Sequence, residues 1–481
     1  MESQILDEFR EVVGQGLITD KSQLHTYECD GLTNFRVLPQ AVLLPTSTAQ
    51  VQAVLRICSR RKIPFVARGS GTGLSGGALP HESGVVISLA RMNRILEVDL
   101  PNARVVVEPG VINADITQRV SAHGYFYAPD PSSLSVCSIG GNVAENAGGA
   151  HCLKYGFTTT HVLGLEVVLP DGSLVHVGGK APDRPGYDLS GVFVGSEGTL
   201  GIATSITLRI VKRPETIQTL LAAFNSTNEA GAAVSDIIAG GMLPAAIEMM
   251  DKLAIQASEA AVHAGYPNCG ALLLVELDGP SAEVEFLTNR VHKICKQCGA
   301  WEVRVAQSEA ERMVVWKGRK AAFAAMGRIS PNYIVQDGVI PRTALPEVLS
   351  EIDRMSAFAG LRVANVFHAG DGNLHPLVLY DRRIAGQEER AFELSLNILR
   401  LCIKCGGSIT GEHGVGEEKK MMMSEMFAEP DLDTMQRVRC AFDPEHLSNP
   451  GKVFPRTRLC AEKSGPYQPH PLEQSGAAQF F

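Results

Sequence analysis

At 481 residues the chain is too long for one hydrophobic core, and 45% hydrophobic against 20% charged residues supports two or three well-buried globular domains. A net charge of −8, from 44 basic and 52 acidic residues, argues against nucleic acid as a main partner. No apolar run reaches the roughly 18 residues of a membrane span, and the acidic start MESQILDEFREVVGQG lacks the basic region of a signal peptide.

Apolar periodicity predicts a helix over 5–16, a loop around Tyr27-Glu28-Cys29-Asp30, a strand over 41–45 and a helix over 47–61. A strand over 64–68 runs straight into GSGTGLSGGALP. Further strands are expected over 84–89, 95–100 and 104–109, then a helix over 113–123. Two more glycine-rich runs follow: PDPSSLSVCSIGGNVAENAGG, and GVFVGSEGTLGIATSITLRI, which ends in an alternating strand. The composition changes at Lys212-Arg213-Pro214, so the first domain is taken as 1–213. Longer helices between single strands follow: strand 216–224, helix 227–239, strand 272–277, and helices 282–298 and 308–326. This is an α+β pattern, taken over 214–425. Residues 426–456 form a C-terminal segment expected to pack back toward the first domain, and 457–481 read as a loose polar tail.

Gly71-Thr72-Gly73-Leu74-Ser75-Gly76 matches G-x-G-x-x-G, the dinucleotide fingerprint that must open a helix after a strand. Here Gly77, Pro80 and Gly84 lead to another strand, so that reading fails on context. A loop dense in glycine and hydroxyls holds phosphate instead through a nest of backbone N–H groups. Three such loops in one domain suggest a long ligand with several polar groups, such as a dinucleotide.

In VFHAGDGNLHPLVLY, Asp371-Gly372 reads as a two-residue hairpin turn. That register sets His368 opposite His375, with Cβ atoms roughly 5 Å apart. Two imidazoles that close share a divalent metal, given a third ligand. Glu412 or His413, in the glycine-bracketed TGEHGVGEEK, supplies it. The eleven cysteines show no disulfide-like framework, which fits a reducing compartment, the cytoplasm. Cys295/Cys298 and Cys402/Cys405 have metal-ligand spacing but lie in helix-patterned segments, so both pairs are read as buried helix cysteines.

RGSGTGLSGGALP, PDPSSLSVCSIGGNVAENAGGAHCLKYG and GSEGTLGI resemble the FAD-binding loops of the vanillyl-alcohol oxidase / p-cresol methylhydroxylase superfamily. NVFHAGDGNLHP and ITGEHGVGEEK are similar to the C-terminal domain of its FAD-linked 2-hydroxyacid dehydrogenases. YECDGL, HAGYP and GRISP agree best with the glycolate-oxidising branch, and the match spans roughly Tyr27 to Pro455. The resemblance implies a two-subdomain FAD-binding domain of the p-cresol methylhydroxylase type and an α+β cap domain. It implies that Arg68, Gly69, Ser70, Gly71, Thr72, Gly73, Gly76 and Gly77 cradle the FAD pyrophosphate. Pro129, Asp130, Ser132, Ser133, Ser138, Gly140, Gly141, Asn142, Asn146 and Gly149 would line the cofactor. Gly195, Glu197, Gly198 and Ile202 would hold its adenine-ribose side. His368, His375 and Glu412 match the family's metal ligands, and His413 its catalytic base. No attachment residue is evident in the 68–77 loop, so non-covalent FAD is expected.

Oxidising a 2-hydroxy acid removes a hydroxyl proton and a hydride from the adjacent carbon. Flavin takes the hydride, a metal (zinc, manganese or iron) lowers the hydroxyl pKa, and neutral His413 takes the proton. Arg319, in WKGRKAAF, is the candidate cation for the substrate carboxylate. With no iron–sulfur motif in the chain, the resemblance implies a second FAD-binding-type subunit and an iron–sulfur subunit, which would carry any association with the inner face of the membrane. Glycolate, D-lactate or another small D-2-hydroxy acid is the expected substrate. The alternatives are a same-fold flavoenzyme for a larger alcohol, a non-catalytic FAD-holding subunit, and a metal hydrolase with phosphate-binding loops.

Overall fold

The computed structural model describes residues 1–181, 186–456 and 460. Its first sheet is parallel at the centre: Ala41–Leu43 and Phe65–Arg68 both pair with Val85–Ser88, and Leu17–Ile18 adds antiparallel outside Ala41–Leu43. Helix Thr48–Arg61, capped by the Ser47 side chain, makes the crossover and buries Val51, Val54, Leu55 and Cys58 completely. A five-stranded antiparallel sheet follows, ordered Ile95–Asp99, Arg104–Val107, Ile202–Arg209, Val162–Val168, Leu174–Gly178.

The second half is built on a nine-stranded sheet with helices on both faces. Along Thr216–Phe224 the side chains alternate. Leu220, Ala222 and Phe224 join a core with helices Thr227–Ala239, Ser281–Gln297, Leu345–Ala359 and Gln387–Lys404. Leu221 and Ala223 join another with Lys252–Val262 and Glu309–Ala325. Because both faces are covered, the first five residues of strand Ala271–Gly279, Ala271 to Val275, read as an unbroken apolar run rather than an alternating one. After helix Glu429–Phe442 the chain returns to the first sheet. Phe65 N–H donates to Leu447 O at 2.9 Å, and Asn449 N–H donates to Phe65 O at 2.8 Å.

Three expectations change. The second glycine run is not all loop: Ser138 accepts from Gly141 N–H and starts helix Ile139–Glu145, because a good N-cap outweighs two glycines in a short helix. The 371–372 turn is four residues, not two, since His368 pairs with Asn373 and Ala364 with Leu377. That slides the register by two residues, which leaves every side chain on its predicted face. Finally, Cys440 and Cys460 form a disulfide, whereas no pairing was expected. Cys295 and Cys402 are buried near the C-terminal ends of two helices, with Cys298 and Cys405 at the caps. Apart from Cys460, the expected tail lies outside the described residues. Among the described residues no helix is long and apolar enough to cross a membrane.

Candidate active site

The glycine-rich runs and the 410–416 loop converge on one cavity of about 710 Å³, within the roughly 300–1,000 Å³ of small-molecule and cofactor sites. Arg68, Gly69, Ser70, Gly71, Thr72, Gly73 and Gly77 line it from the first run. Ser132, Ser133, Ser138, Gly140, Gly141 and Asn142 line it from the second, and Glu197, Gly198 and Ile202 from the third. A Cβ on Gly69 would stand 2.1 Å from Ser138 Oγ, so only glycine lets the first two runs touch. Arg68 is fixed rather than free: its Nη1 donates to Cys29 O at 2.8 Å and its guanidinium lies over the Tyr27 ring.

Six residues expected on the cofactor stand behind the wall instead. Pro129 O accepts from Asn113 Nδ2 at 3.1 Å. The Asp130 carboxylate takes the His151 backbone N–H and ring Nδ1. Asn146 ends the short helix in the left-handed region and accepts from Thr159 N–H at 2.9 Å. Gly149 lies against Asp130 O, Gly195 N–H donates to Val143 O, and Gly76 abuts Glu417. These residues shape the loops, because their polar groups are spent on other parts of the protein. Glu197 reaches the cavity, but both its oxygens are taken by Val415 N–H (2.7 Å) and Gly416 N–H (2.6 Å), so it clamps the loop of the second half to the first.

The opposite wall carries His375, Glu412 and His413. His375 lies between the short strands Asn373–Leu374 and Pro376–Tyr380, where the sheet divides between two neighbours. Glu412 Oε1 stands 3.2 Å from His375 Nε2 and 3.4 Å from His368 Nε2, so the ligand atoms of these three side chains lie within 4.8 Å of one another. His413 stacks on His375 with ring centroids 5.0 Å apart. The approach of the two halves is tight here: a Cβ on Gly148 would come within 2.8 Å of Glu412 Oε2.

Electrostatics divide these groups by role. Burial alone would neutralise Glu412, but its contacts with His368 and His375 hold its pKa well below the usual carboxylate value. Burial likewise works against a charged His368, yet Glu248, bonded to His368 Nδ1 at 2.7 Å, and Glu412 raise its pKa well above the ordinary one. With Nδ1 committed to Glu248, Nε2 faces the Glu412 carboxylate, and only a proton or a metal cation between them makes that contact favourable. Burial pushes His413 down to about 4, with Asp337 pulling the other way, so its imidazole is neutral at pH 7.

Asp337 escaped the sequence reading because Gln336-Asp337-Gly338 resembles an ordinary turn. Its Oδ2 accepts from Thr410 Oγ1 and from the N–H groups of Gly411, Glu412 and His413, at 2.6 to 3.0 Å. Despite full burial, His413, His375 and Lys419 hold its pKa at about 2. One carboxylate thus sets the backbone of the whole 410–413 loop. Glu248 also went unnoticed, although an acid in the middle of the apolar strand Ala246–Asp251 was a usable signal.

Arg319 does not line the cavity. It is buried with Nη2 2.6 Å from Glu248 Oε2, while the next residue, Lys320, faces the cavity. Successive helix positions differ by about 100°, which sends one to the sheet and the other to the opening. Arg319 therefore steadies Glu248 and, through it, His368. Glu248→Ala would leave the Arg319 cation buried without its partner. We expect a loss of about 3–5 kcal/mol of unfolding free energy, measured in denaturant.

Residues 39–178 match the model of an FAD binding domain, and residues 213–453 that of the C-terminal domain of FAD linked oxidases. The chain is 51% identical to glycolate oxidase subunit GlcD of Escherichia coli K12, over 94% of this chain and 91% of that protein. It is 32% identical to a D-lactate dehydrogenase of Anaerostipes hadrus, over 94% and 97%. The solved 4-ethylphenol oxidase of Gulosibacter chungangensis shares the fold with a TM-score of 0.79, covering 94% of this chain and 97% of that one at 20% identity. An FAD-binding domain of the p-cresol methylhydroxylase type joined to an oxidase C-terminal domain defines an FAD-linked oxidoreductase. This chain belongs to the FAD-linked oxidase family.

Proposed function

We propose that the chain is an FAD- and divalent-metal-dependent dehydrogenase that oxidises glycolate, D-lactate or a similar small D-2-hydroxy acid to the 2-oxo acid. The observation that supports this most is the opening of His375, Glu412 and His413 onto the same cavity as the glycine runs. The fit to each group is physical. Gly69, Gly140 and Gly141 line the cavity with bare backbone, and at Gly69 and Gly140 a Cβ would collide with Ser138 and Pro109, so glycine lets these segments pack closely into a cradle. The donor set of two imidazoles and one carboxylate suits zinc, manganese or iron.

Bound FAD would supply the electron-pair acceptor, and a cation held by His368, His375 and Glu412 would supply the positive charge that acidifies a nearby hydroxyl. The rest is done by the chain. His413, kept neutral, takes the hydroxyl proton on its ring nitrogen. Lys320 gives the cavity wall a positive charge for the substrate carboxylate. Glu248 and Arg319 hold His368 in place, and Asp337 holds the loop that presents Glu412 and His413. The electrons pass to a partner rather than to NAD, namely a second FAD-binding-type subunit with an iron–sulfur subunit, or a quinone-linked acceptor. In that arrangement the chain works in the cytoplasm, at the inner face of the membrane where its partners sit there.

The test is an anaerobic visible spectrum of the protein supplemented with FAD and metal, before and after glycolate or D-lactate. Bleaching of the oxidised flavin band is expected, and the faster of the two acids names the preferred substrate. A flavin band unchanged by both acids would overturn the hydroxy-acid assignment.

A further inference from the structure

Outside the lining of this cavity, three ligand atoms converge at the end of the C-terminal helix. Cys440 lies in the last turn of Glu429–Phe442, and His446 Nε2 stands 3.8 Å from its Sγ and 3.1 Å from Cys460 Sγ. We infer that in the dithiol state Cys440, His446 and Cys460 form a second metal site, taking zinc or a similar thiophilic divalent ion.

The scaffold is built to hold the first two donors. Asp443, fully buried, accepts from the N–H groups of Leu447 and Ser448, and its carbonyl accepts from His446 N–H. Arg439, also buried, donates to Ser448 O at 2.8 Å and pairs with Asp443. His446 itself is held in the left-handed region at φ 53°, a conformation uncommon for a residue with a side chain, and it turns the ring back onto Cys440. Neither packing nor capping calls for an imidazole beside these two sulfurs.

Two thiolates and an imidazole are a donor set that selects zinc among common divalent ions, and water completes a tetrahedron. Uptake converts two thiols to thiolates and releases two protons, with no electron transferred. The disulfide is the alternative state of the same residues, reached when an oxidant removes two electrons and two protons. The site lies next to useful machinery. Just beyond His446, Ser448 Oγ donates to Gly198 O, Asn449 Nδ2 to Gly77 O and Glu197 O, and Lys452 Nζ to Leu79 O. A clip at Cys460 thus fastens the segment that braces the glycine runs.

The test compares metal content of the full-length wild type, reduced under argon, with that of Cys460→Ser. The reduced wild type is expected to hold one zinc more per chain. Cobalt substitution should give a thiolate-to-cobalt charge-transfer band that the sulfur-free His368/His375/Glu412 site cannot produce. Wild type oxidised with glutathione disulfide, which is itself reduced to two thiols, should lose that band and regain it on reduction, a control that needs no variant to fold. Equal zinc in wild type and Cys460→Ser, or no charge-transfer band in the reduced wild type, would overturn the site.

Discussion

His413→Ala is expected to keep its FAD and lose turnover by about 10²–10⁴-fold, the range over which a positioned general base acts. The separation of the two properties follows from the geometry. The His413 main chain is fixed by Asp337, not by its ring, so truncation leaves the 410–413 loop in place. The ring stacks on His375, and its Nδ1 makes no hydrogen bond, so no structural network is lost with it. Stopped-flow reduction of the bound flavin by excess hydroxy acid isolates the step. A variant that reduces its flavin at the wild-type rate would remove His413 from the base role. Loss of flavin along with activity would show instead that the ring supports the cavity.

The parts of this site that were legible were those with an unusual local pattern. Histidines beside turn glycines stood out in Val366–Tyr380. The two-residue error in the hairpin did no harm, since strand parity and not exact register decides which face a side chain takes. Strand Thr216–Phe224 was found to the residue from the sequence. What stayed hidden was whatever depends on distant backbone. Asp337 gathers four donors from a loop 73 to 76 positions away, and nothing in its own neighbourhood marks it. Arg319 was visible as a cation, but which helix face meets the cavity is settled by packing against the strand that carries Glu248. Cys440 and Cys460 were discounted because pairs of cysteines announce themselves by spacing only when both sit on one turn, and here a helix end and a later segment are joined.

His375→Ala should lose metal and turnover together while retaining flavin. His375 contributes one of three converging donors, and the two that remain, His368 and Glu412, belong to different segments, each fixed by its own partner. Outer partners of metal ligands typically account for about 10–100-fold in affinity, and removing a ligand itself should cost more than that. The backbone at this position is secured on both sides by strand pairing, so the substitution acts through the missing nitrogen and not through unfolding. Chelation of the wild type should reproduce the loss of turnover, with recovery on adding back zinc, manganese or iron, whereas His375→Ala should stay inactive at the same metal concentration. Metal content by plasma mass spectrometry and flavin content by absorbance provide the two readings. Undiminished metal in His375→Ala would mean that the cation is held elsewhere, for instance by Asp337 and His413, which remain of the neighbouring group, or by the sulfur site near Cys440. The cobalt spectrum separates these, because only the latter contains thiolate. An unchanged rate after complete metal removal would be the more serious result. It would leave neutral His413 to deprotonate an ordinary alcohol unaided, against a pKa gap that a buried imidazole titrating near 4 is poorly placed to bridge.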